Sequence, residues 1–270
     1  MGTSFLASLH EHYQWQLSLY ALIGIGVASV MRMGLFALVP TFRQARQVNA
    51  DTFKRKMERP NYAANHAWNR KWSALYVVVI FALVLPFCLT LEAKPWWNML
   101  LDIVIILMFY DFFYYFMHRF LFHDNGFLGG PLKWMHAVHH RQHNPCQMDA
   151  SYIHPLEVAL GLGLYTASIF ILSRFMGPFH VGTIIITWMA FSQINLHNHA
   201  LWKADRFPFR YLSYASKMHH IHHARFTGGN YATISLLYDW MFGTLDKGEG
   251  YGKEAKGQGS GWPLGVANRN

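Results

Sequence analysis

The sequence predicts an all-α integral-membrane protein, a bundle of about four to five helical spans or half-spans with a histidine-rich helical cap on the cytosolic side. Hydrophobic residues make up 53% of the 270 residues and charged residues only 14%, whereas a soluble domain carries roughly 25% charged residues. Apolar runs long enough for a bilayer recur along the chain. The 17 histidines are the third observation, because most of them lie between residues 118 and 223.

Five apolar runs predict the membrane helices. Pro86 predicts a kink in the second run, because proline removes a helical hydrogen bond. The fourth and fifth runs are separated by a short link and predict a hairpin, either crossing the bilayer and returning or entering it as a shallow re-entrant pair. The runs are 17–39, 73–91, 98–117, 155–173 and 178–196.

The segment between the first two runs is strongly basic. Residues 40–72 hold eight lysines and arginines against Asp51 and Glu58. Positive charge in a short loop marks the cytoplasmic side, so we predict a basic cytoplasmic loop in the bacterial inner membrane or the endoplasmic reticulum. A nucleic-acid patch is the alternative, but the basic residues lie between apolar runs rather than along one polar face. We therefore expect no nucleic-acid partner.

The histidines recur in one spacing. His136-x-x-His139-His140 places three imidazoles on one face of a helix, and His219-x-x-His222-His223 repeats the pattern. His118 and His123 precede both motifs, five residues apart, which predicts that the helix ends or turns between them. With the basic loop in the cytoplasm, the five runs bring all these histidines, and His197, to one membrane face.

Imidazole clusters of this size indicate metal binding. Neutral imidazole suits iron, zinc, copper and nickel, so ligand type alone leaves the metal open. The repeated motif favours two ions rather than one. The H-E-x-x-H pattern of zinc proteases is absent, and a bis-histidine haem would leave most of the histidines unexplained.

In this order the motifs resemble the fatty acid hydroxylase/sterol desaturase superfamily of integral-membrane di-iron enzymes. The resemblance covers roughly residues 98–246, the predicted catalytic domain, between the membrane helices of 1–97 and a Gly-rich tail, 247–270, that we expect to be mobile. Besides the histidine motifs, it rests on Asp111-Phe-Phe-Tyr-Tyr-Phe-Met-His118, His154-Pro-Leu-Glu157, Asn230-Tyr231 and Tyr238-Asp239-Trp240.

The resemblance implies the metal ligands. Many members carry a histidine four residues before the counterpart of His197, where this chain has Gln193, so either His199 or water is expected to compensate. His143 and His220 are further candidate ligands. Asp111, His154, Gln193, Asn230 and Asp239 are expected to support the ligands from behind, although Asp111 could instead be satisfied by Tyr114 or Tyr115. The implied ligands are His118, His123, His136, His139, His140, His197, His219, His222 and His223.

The resemblance also implies the chemistry. It predicts two iron ions, dioxygen as co-substrate, and hydroxylation or desaturation of a sterol-like or fatty-acyl membrane lipid. A carotenoid or ether lipid is the alternative substrate, and a non-catalytic membrane metal-binding protein is the alternative class. The sequence shows no flavin or nicotinamide motif, so electrons are expected from a separate reductase, ferredoxin or b-type cytochrome. The oligomeric state has no signal in the sequence.

Overall fold

The computed structural model describes residues 12–124, 126–204, 206–207 and 209–251, and this part of the chain is largely helical. Most of the predicted Gly-rich tail, from residue 252 onward, lies outside the described residues. The α-helices are α1 (Trp15–Leu38), α2 (Pro40–Met57), α3 (Pro60–Val79), α4 (Trp96–Met117), α5 (Lys133–His140), α6 (Pro155–Met176), α7 (Val181–Asn198), α8 (Phe209–Ala224) and α9 (Leu237–Met241).

Four of the described helical segments are long and apolar enough to cross a bilayer. The predicted all-α membrane bundle is therefore confirmed. The fifth apolar run forms a single helix, α7, but it is not among these four. The four segments are Trp15–Leu38, Pro60–Phe87, Trp96–Phe122 and Pro155–Met176.

The predicted basic loop is helical. Residues 40–72 form α2 and the first half of α3. Proline opens both helices, where its missing N–H costs nothing because the first helical amides have no partner within the helix. Lys54, Arg55 and Lys56 occupy the last turn of α2, where positive charge is favourable beside the helix C-terminus.

The chain divides into two compact units that interleave along the sequence. Unit 1 comprises Met1–Arg43, His66–Tyr110 and Pro155–Gln193, and unit 2 comprises Gln44–Asn65, Asp111–His154 and Ile194–Asn270. Each unit takes residues from both sides of the predicted boundary at residue 97.

Unit 1 is built around the pairing of α6 with α7. The Tyr165 hydroxyl donates to Thr187 Oγ1 at 3.1 Å, and its ring stacks on Phe191 with centroids 4.4 Å apart. The two helices thus form the predicted hairpin. Leading into α7, strand β2 (Phe179–His180) pairs in parallel with strand β1 (Leu89–Thr90).

The helix ahead of Pro86 departs from α geometry. A π-helical turn, Ile80–Val84, follows α3, and a 3₁₀ turn, Leu85–Phe87, follows that. Proline cannot donate to the carbonyl four residues earlier and clashes with it, so the irregular turns fall where the kink was predicted.

Unit 2 carries the histidine motifs. Its aromatic core contains the buried residues Tyr115, Tyr231 and Ala232, with Phe116 and Tyr238 packed against them. The unit also contains the π-helical turn His118–Phe122 that follows α4, the helices α5, α8 and α9, and a 3₁₀ turn, Gln147–Ser151.

Candidate metal centre

A π-helical turn brings His118 and His123 together. The His123 amide donates to the His118 carbonyl at 3.1 Å, an i→i+5 bond, and the Nε2 atoms of the two rings lie 3.2 Å apart. On an α-helix, residues five apart would differ by about 140° around the axis. The sequence prediction that the helix ends or turns between them is therefore replaced by a wider helical turn.

Gly130 allows α5 to lie against this turn. Its φ of +60° is favourable for glycine, and a Cβ at this position would lie 2.7 Å from the His123 carbonyl oxygen. Two residues later the Leu132 amide donates to the Leu121 carbonyl at 2.8 Å. The result is that His136 and His140 of α5 lie against the rings of the π-turn.

The buried histidines of unit 2 form two groups. Within each group, one ring nitrogen per residue lies within 4.8 Å of the corresponding nitrogens of the others, and each of the nine side chains is at most 9% exposed. Group A consists of His118, His123, His136, His140 and His222, and group B of His139, His199, His219 and His223.

The structure brings eight of the nine predicted ligands together and places His197 elsewhere. The His197 ring donates Nε2–H to the Leu212 carbonyl at 2.9 Å and packs against Trp202. His199, which the sequence offered only as a compensating ligand, lies in group B, with its Nε2 3.0 Å from His139 Nε2. Two residues correspond to about 200° around a helix, so the end of α7 presents these two histidines in opposite directions. Gln193 donates to Ser192 within unit 1.

The other candidate ligands also lie outside both groups. α5 ends at His140, so His143 does not continue its histidine stripe, and the His143 side chain is exposed. His220 is buried but points its Nε2 at the Ala200 carbonyl, 3.2 Å away. His154 is partly exposed and packs its ring against Trp134.

Main-chain carbonyls fix the orientation of five rings. A carbonyl oxygen only accepts, so each of these Nδ1 atoms carries a proton, and each Nε2 of the neutral ring keeps its lone pair. In group A, His118 donates to Tyr231 (2.6 Å), His123 to Phe226 (2.7 Å) and His222 to Gly229 (2.8 Å). In group B, His139 donates to Tyr152 (3.2 Å) and His199 to Asn195 (2.8 Å).

These tautomers leave lone pairs facing each other. The Nε2 atoms of His118 and His123 lie 3.2 Å apart, and those of His139 and His199 lie 3.0 Å apart. In neither pair does an Nε2 carry a proton to share, so neither contact is a hydrogen bond. Two facing lone pairs in a buried pocket repel, and a cation between them converts the repulsion into coordination.

The spacing of the nitrogens fits metal coordination. Two imidazole nitrogens bound to one ion at about 2.1 Å lie about 3.0 Å apart when the bonds form a right angle, and about 3.4 Å apart in a tetrahedron. The observed Nε2 separations include 3.0 Å for His118–His136, 3.1 Å for His140–His222 and 2.9 Å for His199–His219. These nearest separations lie close to the values expected for two nitrogens that share one ion.

Burial also keeps these imidazole rings neutral, and it leaves the His223 ring without a hydrogen-bond partner among the described residues. Burial lowers the pKa of His139 and of His222 to about 4, so both are uncharged at neutral pH. Burial and the neighbouring imidazoles hold the pKa of His223 well below its usual value. Among the described residues, neither nitrogen of the buried His223 ring has a hydrogen-bond partner. Neutral imidazoles without partners are ready metal ligands.

Asn230 and Asp239 hold the segment whose carbonyls orient group A. Asn230 has a φ of 67°, and its side-chain amide donates to the carbonyls of Met218 (2.9 Å) and Asp246 (2.8 Å). The Asp239 carboxylate accepts from the amides of Tyr231 (2.8 Å) and Ala232 (2.9 Å). Burial raises the pKa of Asp239 to about 6, although the hydrogen bonds it accepts oppose this rise.

Asp111 contacts neither an imidazole nor the neighbouring tyrosines through its described hydrogen bonds. Its carboxylate accepts from the amides of Thr233 (2.9 Å), Ile234 (2.8 Å) and Ser235 (3.0 Å) and from the Ser235 hydroxyl. It therefore fixes the chain that follows Tyr231, rather than orienting a ligating ring directly.

The support of group B includes residues that the sequence analysis missed. Buried Asp149 accepts from Lys56, from the Tyr62 hydroxyl (2.5 Å) and from the Cys146 amide (2.7 Å). Tyr62 also stacks on Tyr152, with centroids 4.9 Å apart, and Tyr152 supplies the carbonyl for His139. Asp149, an acid close to a histidine motif in the sequence, was the available signal for this support. The carbonyl of Tyr152 could not be predicted, because every residue has a main-chain carbonyl.

Comparison with known families identifies the chain. A sequence model described as "Fatty acid hydroxylase" matches residues 103–244, which is more than half of the chain. The chain belongs to the fatty acid hydroxylase family. The matched residues include all nine histidines of groups A and B. The resemblance to the fatty acid hydroxylase/sterol desaturase superfamily is confirmed.

Curated relatives of this fatty acid hydroxylase family member include sterol enzymes. It is 29% identical to methylsterol monooxygenase 1 of Rattus norvegicus over 50% of this chain and 43% of the relative. It is 32% identical to methylsterol monooxygenase erg25B of Aspergillus fumigatus, over 55% of this chain and 49% of the relative. It is 29% identical to very-long-chain aldehyde decarbonylase GL1-8 of Oryza sativa subsp. indica, over 57% of this chain and 56% of the relative. The chain thus spans about half the length of these relatives, and no solved structure gives a significant match.

Proposed function

We propose that this protein is a membrane-bound oxidoreductase that uses two iron ions and dioxygen to hydroxylate or desaturate an unactivated C–H bond of a membrane lipid. The observation that carries the proposal is the pair of facing Nε2 lone pairs in each group, His118 with His123 and His139 with His199. Each group would hold one ion, and the family and its monooxygenase relatives support the oxidative chemistry.

Iron bound to these imidazoles would bind dioxygen and pass to it the electrons that a separate donor provides. The fatty acid hydroxylase family supports iron as the bound metal, and the nitrogen separations near 3.0 Å suit two ligands of one ion. The chain's own contribution is to hold nine imidazoles in place, five of them in tautomers fixed by carbonyls, and to exclude water, since all nine side chains are buried. Such supporting contacts tune a bound metal as well as orient its ligands.

The two groups differ in the room that they leave for a small molecule. Group B has four imidazoles where group A has five, and a cavity of about 40 Å³ adjoins His219 of group B. That volume suits about one molecule of the size of water. Asn198, Asn230 and Thr233 line it, and we propose that dioxygen reaches the centre there.

The substrate class follows from the family and from the membrane helices. The names of the relatives mention a methylsterol and a very-long-chain aldehyde, so a sterol-like or fatty-acyl lipid is the proposed substrate. A carotenoid or ether lipid is the alternative. Because the chain spans only about half of those relatives, the substrate is assigned to this protein as a proposal alone.

Electrons would come from a separate donor, a reductase, ferredoxin or b-type cytochrome. The basic helix α2 carries Arg43, Arg46, Lys54, Arg55 and Lys56, and positive charge favours the approach of an acidic donor. The same charges would place the basic segment, and with it the histidine groups, on the cytoplasmic face of the bacterial inner membrane or the endoplasmic reticulum.

The test combines metal analysis with lipid mass spectrometry. The full-length protein is expressed with a reductase system, and lipids are compared with those of His139→Ala, with exposed His143→Ala as the matched control. We expect two non-haem irons per chain, and one lipid class that gains one oxygen or loses two hydrogens with wild type and His143→Ala only.

Other outcomes separate the alternatives. Two irons per chain together with identical lipid profiles for wild type and His139→Ala, under adequate electron supply, would support a non-catalytic metal-binding protein. A Soret band in the purified protein, without non-haem iron, would show that the histidines bind haem and would overturn the proposal.

A further inference from the structure

Unit 1 contains a large apolar cavity that the metal chemistry does not use. Its volume is about 700 Å³, within the range of roughly 300–1,000 Å³ typical of ligand sites. We propose that this cavity binds an acyl chain of an anionic glycerophospholipid from the surrounding bilayer, with the lipid phosphate at Arg174. The proposal is independent of the metal centre, because every lining residue belongs to unit 1.

One face of α6 forms a long wall of the cavity. Ala159, Gly163, Ala167, Phe170 and Arg174 recur at intervals of three and four residues, which places them on a single helical face. From Ala159 to Arg174 this wall extends about 22 Å at the rise of an α-helix. One leaflet of the hydrocarbon core is about 15 Å thick, so the wall is long enough for an acyl chain.

The opposite wall comes from the irregular end of α3. Val79, Leu83 and Phe87 contribute apolar side chains there. Val79 is 41% exposed, Leu83 62% and Phe170 41%. Exposed apolar side chains at the rim of a cavity between membrane helices face the bilayer, so a lipid chain can enter sideways without crossing water.

Small residues on α6 create the space. A Cβ added to Gly163 would have no heavy atom within 4 Å, which shows that this part of the cavity is open next to the helix. Gly161 on the same helix also has nothing within 4 Å of an added Cβ, but it does not line the cavity. The pair therefore offers a test position and a matched control.

Arg174 gives the cavity a charged end. Its Nη2 donates to the Phe87 carbonyl at 2.5 Å and its Nε to the Ser173 hydroxyl at 3.3 Å, so the guanidinium is held in place. These bonds leave Nη1 without a described partner inside unit 1, and the side chain is exposed. The lining residues include no acid. Nη2 also donates to the Ser173 hydroxyl at 3.2 Å, so Nη1 is the nitrogen that remains to donate charge-assisted hydrogen bonds to a phosphate.

Native mass spectrometry of the full-length protein tests the apolar part of the site. Wild type, Gly163→Phe and Gly161→Phe are released from nanodiscs that contain equal amounts of phosphatidylglycerol and phosphatidylcholine. We expect Gly163→Phe to lose the retained lipid by about tenfold relative to wild type, while Gly161→Phe retains it. Equal retention by the two phenylalanine variants would overturn the cavity site.

Substitution of Arg174 tests the head group. We expect wild type and Arg174→Lys to retain phosphatidylglycerol over phosphatidylcholine, and Arg174→Gln to lose that preference. A preference unchanged in Arg174→Gln would overturn the assignment of the phosphate to this residue. Retention of a free fatty acid in place of the phospholipid, when oleate is added, would show that a carboxylate amphiphile is the ligand and would also overturn the proposal.

Discussion

Groups A and B are supported in different ways. Group A has five imidazoles, and the carbonyls of one short segment, 226–231, orient three of them. Group B has four imidazoles, and its two carbonyl acceptors, Tyr152 and Asn195, come from distant parts of the chain. The helices α5 and α8 each supply histidines to both groups.

The comparison shows that the repeated motif does not correspond to one metal per motif. The H-x-x-H-H pattern of α5 gives His136 and His140 to group A and His139 to group B, and that of α8 gives His222 to A and the other two histidines to B. Each helix therefore bridges the two groups, whereas the supporting segments are separate. Substitutions in the supports should affect one group at a time.

The largest expected difference is between substitutions of His199 and of His197. His199→Ala removes one of the four imidazoles of group B, so we expect loss of about one iron per chain and a fall in activity of more than about 100-fold. His197→Ala should keep both irons, since its ring bonds to the Leu212 carbonyl. Iron analysis of the two purified variants makes the comparison. Loss of iron in His197→Ala alone would restore the assignment taken from the family motif.

The second prediction tests whether Asp149 supports group B alone or both groups. Asp149→Asn removes the charge that anchors the loop of Tyr152, and we expect roughly 10- to 100-fold weaker iron binding at group B. Combined with His199→Ala, it should cause little further loss of iron; combined with His140→Ala, it should cause a clear further loss. Titration with a chelator measures the iron affinity of both double variants. Equal further losses in the two combinations would mean that Asp149 supports the whole unit rather than one group.

Asn230 offers a smaller and more specific effect on the group A segment. Asn230→Ala loses its side-chain hydrogen bonds and keeps a β-carbon at a φ of 67°, so we expect about 2–3 kcal/mol of destabilisation. Asn230→Gly loses the same bonds but tolerates the conformation, and should be less destabilised by about 1 kcal/mol. Thermal unfolding of the detergent-solubilised protein compares them. A glycine variant as unstable as the alanine variant would argue against backbone strain at this position.

The smallest effect is expected at Lys56. Its amine bonds Asp149 and the Asn144 carbonyl at the edge of the group B support, so Lys56→Met should weaken iron binding at that group only severalfold. Exposed Lys54 on the same helix provides the control, and Lys54→Met should leave iron binding unchanged. Chelator titration again measures the iron affinity of the two variants. Similar curves for Lys56→Met and Lys54→Met would show that Lys56 does not support group B.

Much of the fold could be predicted from the sequence because membrane helices depend on local composition. The apolar runs located α1, α4 and α6, and the i, i+3, i+4 spacing located the histidine faces of α5 and α8. The basic segment was expected to be a loop, because charge pattern indicates a side of the membrane but says little about backbone conformation. Pro40 and Pro60, at the first positions of helices, were the overlooked signal.

The candidate site was harder to predict where it depends on the end of an element or on main-chain atoms. The choice between His197 and His199 depends on where α7 ends and on the direction of each ring, which residue types do not encode. The acceptors that fix the tautomers are carbonyls, and every residue has one. Asp111 was expected beside an imidazole or a tyrosine, but the amides of 233–235 lie closer in the folded chain.

Because the turn after α4 is π-helical, the number of residues between His118 and His123 affects the position of the two rings as much as the identity of those residues does. Four residues separate these histidines, and the wide turn brings the two rings to the same side of the axis, with centroids 4.9 Å apart. Deleting one of the four would favour the ordinary helical pitch and leave the imidazoles four apart, while adding one would swing His123 away. The count of intervening residues therefore determines where the His123 ring lies in group A, although none of the four belongs to that group.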